Sequence, residues 1–130
     1  MIEFHVEGRS GVPTYLQIVQ QVRQAVRLGL LRPGDQLPTV KEVVGHLAIN
    51  PNTVLRAYRE LDVEGLVEGR RGVGTFVTEG VSVLPPDEVA ALRTSLQQWV
   101  RRGRAAGLED EHLAALFAET VRPSTISRVA

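Results

Sequence analysis

Between Asn50 and Leu61 the chain places Asn52, Thr53, Arg56 and Arg59 opposite an apolar set, Val54, Ala57, Tyr58 and Leu61. Further on, Arg70 and Arg71 lie within the run Gly69-Arg70-Arg71-Gly72-Val73-Gly74. Amide, hydroxyl and guanidinium groups pair with base edges and phosphate oxygens. Glycines let backbone approach a phosphate, and Arg suits a narrow minor groove. No rival chemistry has the right spacing. His5, His46 and His112 are scattered, so no metal site is expected. With no Cys, thiolate ligands, disulfides and cysteine nucleophiles are excluded. The run Glu109-Asp110-Glu111-His112 reads as acids at a helix start, not as a carboxylate site. Gly69 to Gly74 lacks the Lys-Ser/Thr ending of a phosphate loop. No Ser sits in a nucleophile elbow. The expectation is a binding protein, not an enzyme, with no cofactor.

Such a face needs a frame. Pro13 opens a helical pattern of Tyr15, Ile18, Val19, Val22 and Val26, and Gly29 ends it. Pro33, Gly34 and Pro38 punctuate a connection. Thr39 and Glu42 have the form of a capping box ahead of a short helix with Val40, Val43, Val44 and Leu47 on one side. After Ala48 and Ile49, Asn50 caps a third helix with Pro51 at its first position, and Gly65 stops it. The period then changes. Leu66 and Val67 predict one strand and Thr75, Phe76 and Val77 the other, around the turn at 69–74. Helix, short turn, helix and hairpin together predict a winged helix-turn-helix over 13–80, whose third helix can enter a major groove. Ahead of it, Ile2, Phe4 and Val6 alternate as a short strand or a frayed arm.

Pro85 and Pro86 mark a boundary. Val89, Leu92, Leu96, Trp99 and Val100 form a stripe on a fourth helix, whose end Gly103 and Gly107 should loosen. Leu113, Leu116, Phe117 and Val121 form another stripe on a fifth, which Pro123 ends before a loose tail at 124–130. Two helices alone make a poor core. The segment 85–123 is therefore expected to join two copies through Leu92, Leu96, Trp99, Leu113, Leu116 and Phe117. The fold class is mainly α with a small β-hairpin.

Composition sets the outer limits. The 130 residues are 43% hydrophobic and 23% charged, enough for a core and against disorder. Fifteen basic residues balance fifteen acidic ones, so any anionic partner must be met locally. Arg56, Arg59, Arg70 and Arg71 supply that local charge. No apolar run approaches the ~20 residues of a membrane span. Met1 to Gly8 shows no basic leader. A cytoplasmic protein without membrane contact is expected.

Over residues 13–78 the chain resembles the GntR family of bacterial transcription regulators. The matching text is Pro13-x-Tyr15-x-Gln17-Ile18, then Gly29-x-Leu31-x-Pro33-Gly34-Asp35-Gln36-Leu37-Pro38-Thr39-Val40. Asn50-Pro51-Asn52-Thr53-Val54-x-Arg56-Ala57-Tyr58-x-x-Leu61, Glu64-Gly65-Leu66-Val67 and Arg70-Arg71-Gly72-x-Gly74-Thr75-Phe76-Val77 complete it. The resemblance implies DNA contacts at Lys41, Asn50, Asn52, Thr53 and Arg56, and at Arg70, Arg71 and Gly72 in the wing. The short remainder is similar to the YtrA-type subfamily, whose tail serves dimerisation. It leaves no room for the effector-binding or aminotransferase-like domains of larger subfamilies. Three positions depart from the family pattern. Lys41 stands where Arg is usual, keeping a point charge without bidentate geometry. Val44 replaces a small residue, and Ala48 replaces a turn glycine. The implied function is a sequence-specific repressor, a homodimer on an inverted-repeat DNA operator. No residue pattern identifies a small-molecule effector. The alternative is a winged helix whose third helix and wing bind protein; steep salt dependence would favour DNA.

Overall fold

The computed structural model describes residues 2–122. The readings at Pro123 and 124–130 lie outside that range. Five helices and one hairpin follow in order. Helix α1, Thr14–Arg27, begins after Pro13, whose carbonyl accepts from the Leu16 and Gln17 N–H groups. It ends before Gly29, which takes φ 76°. Helix α2, Val40–Leu47, carries the expected capping box. Thr39 Oγ1 accepts from the Glu42 N–H at 3.1 Å, and Glu42 Oε1 accepts from the Thr39 N–H at 3.1 Å. That backbone bond holds the Glu42 carboxyl below its usual range. Helix α3, Pro51–Val63, is capped by Asn50 Oδ1, which accepts from the Asn52 N–H at 2.8 Å. Strand β1, Val67–Arg70, pairs antiparallel with β2, Gly74–Val77, from Val67↔Val77 to Arg70↔Gly74. Helices α4, Pro86–Ala105, and α5, Asp110–Val121, complete the chain. It divides into two units, one ending at Pro86 and one beginning at Asp87.

The core of the first unit follows from the apolar stripes. Ile18, Val19, Val22 and Val26 of α1, Val43 of α2, and Val54, Ala57 and Leu61 of α3 are buried with Val67 and Val77 of the hairpin. Burying each such large side chain contributes about 1.5–3 kcal/mol. Among the described residues, no helix is long and apolar enough to cross a membrane.

Residues 2–12 form neither a strand nor a frayed arm. Phe4 is buried in the core. Two glutamines one helical turn apart on α1 clasp the arm's backbone. Gln17 Oε1 accepts from the Glu7 N–H at 2.8 Å, while its Nε2 donates to the carbonyls of Glu7 and Val12, both at 2.9 Å. Gln21 repeats the clasp on His5, accepting from its N–H at 3.0 Å and donating to its carbonyl at 2.6 Å. A side-chain amide thus replaces a neighbouring strand.

The hairpin also differs from expectation. Leu66 lies outside β1, whereas Gly69, Arg70 and Gly74 lie inside the strands, leaving Arg71, Gly72 and Val73 as the turn. The Val73 N–H closes it on the Arg70 carbonyl at 2.9 Å. The supposed connection at 34–37 pairs with the far edge of β2. Gly34 N–H donates to the Val77 carbonyl at 2.9 Å, Val77 N–H to Asp35 at 2.8 Å, and Leu37 N–H to Thr75 at 2.8 Å. Flanking prolines hid this rung from a sequence reading.

In the second unit Gly103 does not loosen α4. It lies within the helix, where a Cβ would overlap the Leu113 side chain of α5. Gly103 therefore permits a close approach of the two helices. Leu113 is only 6% exposed and packs inside the helical pair. Part of the α5 stripe is thus covered within the pair itself.

Ala48 takes φ 53°, the left-handed conformation a family glycine would relieve. Its Cβ strain exceeds the chain entropy that glycine would add. Ala48→Gly is expected to raise stability by about 0.5–1 kcal/mol. Urea unfolding of the two proteins checks this; an equal or lower midpoint for the variant counts against strain at Ala48.

Candidate nucleic-acid interface

The caps and buried stripe of α3 decide which side chains it shows. Val54, Ala57, Tyr58 and Leu61 are buried, which turns Asn52, Arg56 and Arg59 outward. Thr53 is only half-exposed. Asn50 is exposed, but its Oδ1 is committed to the cap. Lys41 is exposed in the first turn of α2, and Arg70, Arg71 and Gly72 are exposed at the wing. Gly72 takes φ 74°, a left-handed position that suits the tight turn.

Two arginines are not free-swinging. The Arg56 guanidinium lies over the Tyr15 ring, 3.7 Å from its centre. The Arg70 guanidinium lies 4.4 Å from the centre of the Phe76 ring, and its Nε donates to Glu68 Oε1 at 3.1 Å. Tyr15, Phe76 and Glu68 went unnoticed as functional residues in the sequence. Phe76 and Glu68 become visible only once the register pairs them. Tyr15 reads in the sequence only as part of the α1 apolar pattern and the family motif.

Two contacts brace α3. Arg23 of α1 forms an ion pair with Glu64 at the C-terminus of α3. The side-chain hydrogen bond raises the Arg23 pKa and lowers that of Glu64. Both groups are partly exposed, so the brace adds little stability. Tyr58 Oη donates to the Pro38 carbonyl at 2.6 Å, fixing α3 against the entrance to α2.

Burial pushes the Tyr58 phenol up, and the Glu42 charge adds to this. The unfolded chain then loses this proton first, near pH of about 10. Stability is expected to fall above that pH, by up to about 1.4 kcal/mol per unit from this group. Tyr58→Phe should cost about 1–3 kcal/mol at neutral pH by orphaning the carbonyl. It should also remove that part of the alkaline decline. Unfolding midpoints of both proteins across alkaline pH check this; parallel curves would exclude the buried phenol as the cause.

His112 Nδ1 accepts from the Glu109 N–H at 3.0 Å and so caps α5. Among the described residues no group of three or more His, Asp or Glu could hold a metal ion.

Residues 14–77 match the family described as bacterial regulatory proteins, gntR family. The HTH-type transcriptional repressor YtrA of Bacillus subtilis (strain 168) is 38% identical over 109 residues, 83% of this chain and 84% of that protein. An alignment of that length exceeds the first unit, so the similarity reaches the helical pair. YtrA from Sulfolobus acidocaldarius, a GntR-family transcription factor, superposes with a TM-score of 0.56 at 28% identity, covering 78% of this chain and 97% of that one. The DNA-binding domain of AraR, in complex with operator ORX1, superposes with a TM-score of 0.52 at 25% identity, covering 59% of this chain and 96% of that one. A family match across the winged helix, and a relative similar along most of both chains, lead to one conclusion. The chain belongs to the GntR family of bacterial regulatory proteins and is a DNA-binding transcriptional regulator, not an enzyme.

Proposed function

We propose that the protein is a cytoplasmic repressor that acts as a homodimer on an inverted-repeat operator. The observation that carries the dimer is apolar exposure on the helical pair. Leu92 is 57% exposed, Leu96 47%, Leu116 44% and Phe117 50%. Symmetric pairing of two copies would cover these residues and relate two α3 helices by a dyad. Trp99, half-exposed on α4, is the aromatic anchor of that contact. Leu113 supports it from inside the pair.

On the DNA side, Asn52 and Arg56 read base edges in the major groove. Thr53, Asn50 and Lys41 meet phosphates, with Arg59 adding charge along the same helix. Arg70, Arg71 and the exposed Gly72 backbone grip the sugar–phosphate chain or a narrow minor groove. The resemblance to YtrA of B. subtilis, named a repressor, supports repression.

Competition titrations against a selected duplex at several salt concentrations test the DNA side. Arg56→Ala should cost about 1–3 kcal/mol and relax sequence preference. Replacing Arg70 and Arg71 together with Ala should weaken all sequences alike and reduce the salt slope by about 2. Unchanged affinity in both variants, with no salt dependence in the parent, would hand this face to a protein partner.

A further inference from the structure

We propose that Tyr15 and Phe76 are positioning residues for DNA binding, aromatic platforms that hold Arg56 and Arg70 in place before the duplex arrives. The proposal rests on the reading that these two arginines contact DNA. An exposed arginine samples many rotamers and loses that freedom when it binds. Stacking restricts it in advance. The stack uses the flat face of the guanidinium, whereas bidentate hydrogen bonds leave through its edge. The platform and a guanine or phosphate therefore do not compete for the same atoms. Arg23 shows the opposite arrangement, its edge already committed to Glu64.

The two platforms arise separately. Tyr15 is the second residue of α1, and packing of α1 against α3 brings its ring beneath Arg56. In the wing, Glu68 stands opposite Phe76, and Arg70 lies two residues on, on the same face of the strand. Its own cross-strand partner is Gly74, which has no side chain. The Gln36 side-chain amide takes the place a Cβ would fill there, and the Arg70 guanidinium reaches the Phe76 ring along the diagonal of the strand pair. Glu68 takes the Arg70 Nε, which leaves the terminal amino groups as donors for DNA.

The full-length protein is titrated with a duplex selected by the parent protein from a random-sequence pool. Tyr15→Phe keeps the ring and should bind within about twofold of the parent. Tyr15→Leu should bind about three- to tenfold more weakly, yet add nothing in an Arg56→Ala background. Phe76→Leu should behave likewise with Arg70→Ala. Thermal melts confirm that each variant is folded at the titration temperature. A loss in Tyr15→Phe equal to that in Tyr15→Leu would overturn the proposal in favour of a contact by the hydroxyl. So would an undiminished loss in the Arg56→Ala background, or full affinity in both leucine variants. If Arg56→Ala and Arg70→Ala are themselves silent, the reading of those arginines as DNA contacts fails first. If they are damaging while the leucine variants are silent, only the platforms fail.

Discussion

A chain ending at Pro85 is expected to be a folded monomer that binds a two-half-site operator about 10²–10⁴-fold more weakly than the full chain. The fold should survive because the first unit carries its own core, from Phe4 to Val77, with Val81 and Val83 packed against it. The Leu84 N–H, which donates to the Arg27 carbonyl at 3.1 Å, is also kept. What disappears is the exposed stripe of α4 and α5, and with it the link that, in the proposed dimer, would make the second half-site contact intramolecular. On a duplex with one half-site, the truncated and full chains should bind with similar affinity per recognition unit. Sedimentation of both proteins and titration of both duplexes decide the matter. A truncated chain that sediments as a dimer and holds the full operator at parental strength would place the dimer contact elsewhere.

The second large effect is on stability. Leu61 is fully buried on the core face of α3. Leu61→Ala should cost about 2–5 kcal/mol through lost transfer energy and the cavity left behind. Against a total of about 5–15 kcal/mol for a small domain, that is a large fraction. The melting temperature should drop by about 10–30 °C for a unit of this size. Below the melt, DNA affinity should stay near the parental value, because the outward side chains are untouched. Leu55, on the same helix but 43% exposed, is the control; its change to Ala should move stability by less than about 0.5 kcal/mol. Circular dichroism melts and a cold titration check both. Equal losses at the two positions would contradict the burial described for α3.

What a reader of the bare sequence can recover depends on the range of the forces involved. The limits of α1, α2 and α3 are legible because stripes, proline, glycine and capping residues act within a turn or two. Ala48 stands out only against the family pattern, and its left-handed φ the structure supplies. The rung at 34–37 is not legible, since its partner in β2 lies some forty positions away. The clasps of Gln17 and Gln21 are hidden for another reason. Polar residues on a helix read as solvent-facing until a backbone segment is laid against them. Leu113 shows the limit of periodicity, which finds an apolar stripe but cannot say which neighbour covers it. The arginines of the candidate interface are legible by type. Their platforms are not, because Arg56 and Tyr15 meet only after two helices pack.

The wing is a small sheet, and small sheets usually offer an open border where another chain can add a strand. Here one border is occupied and the other is blunted. On one side β2 is occupied by 34–37. On the other, the Gly69 N–H of β1 donates to Asp62 Oδ2 at 3.2 Å, and the charged Glu68 and Arg70 flank it. Such a unit resists edge-to-edge association, which suits a part that must stay single until something else pairs it. On the proposed dimer, stoichiometry would then be dictated from outside the winged unit. In that dimer, a change in the helical pair would alter the spacing between half-sites without rebuilding the hairpin.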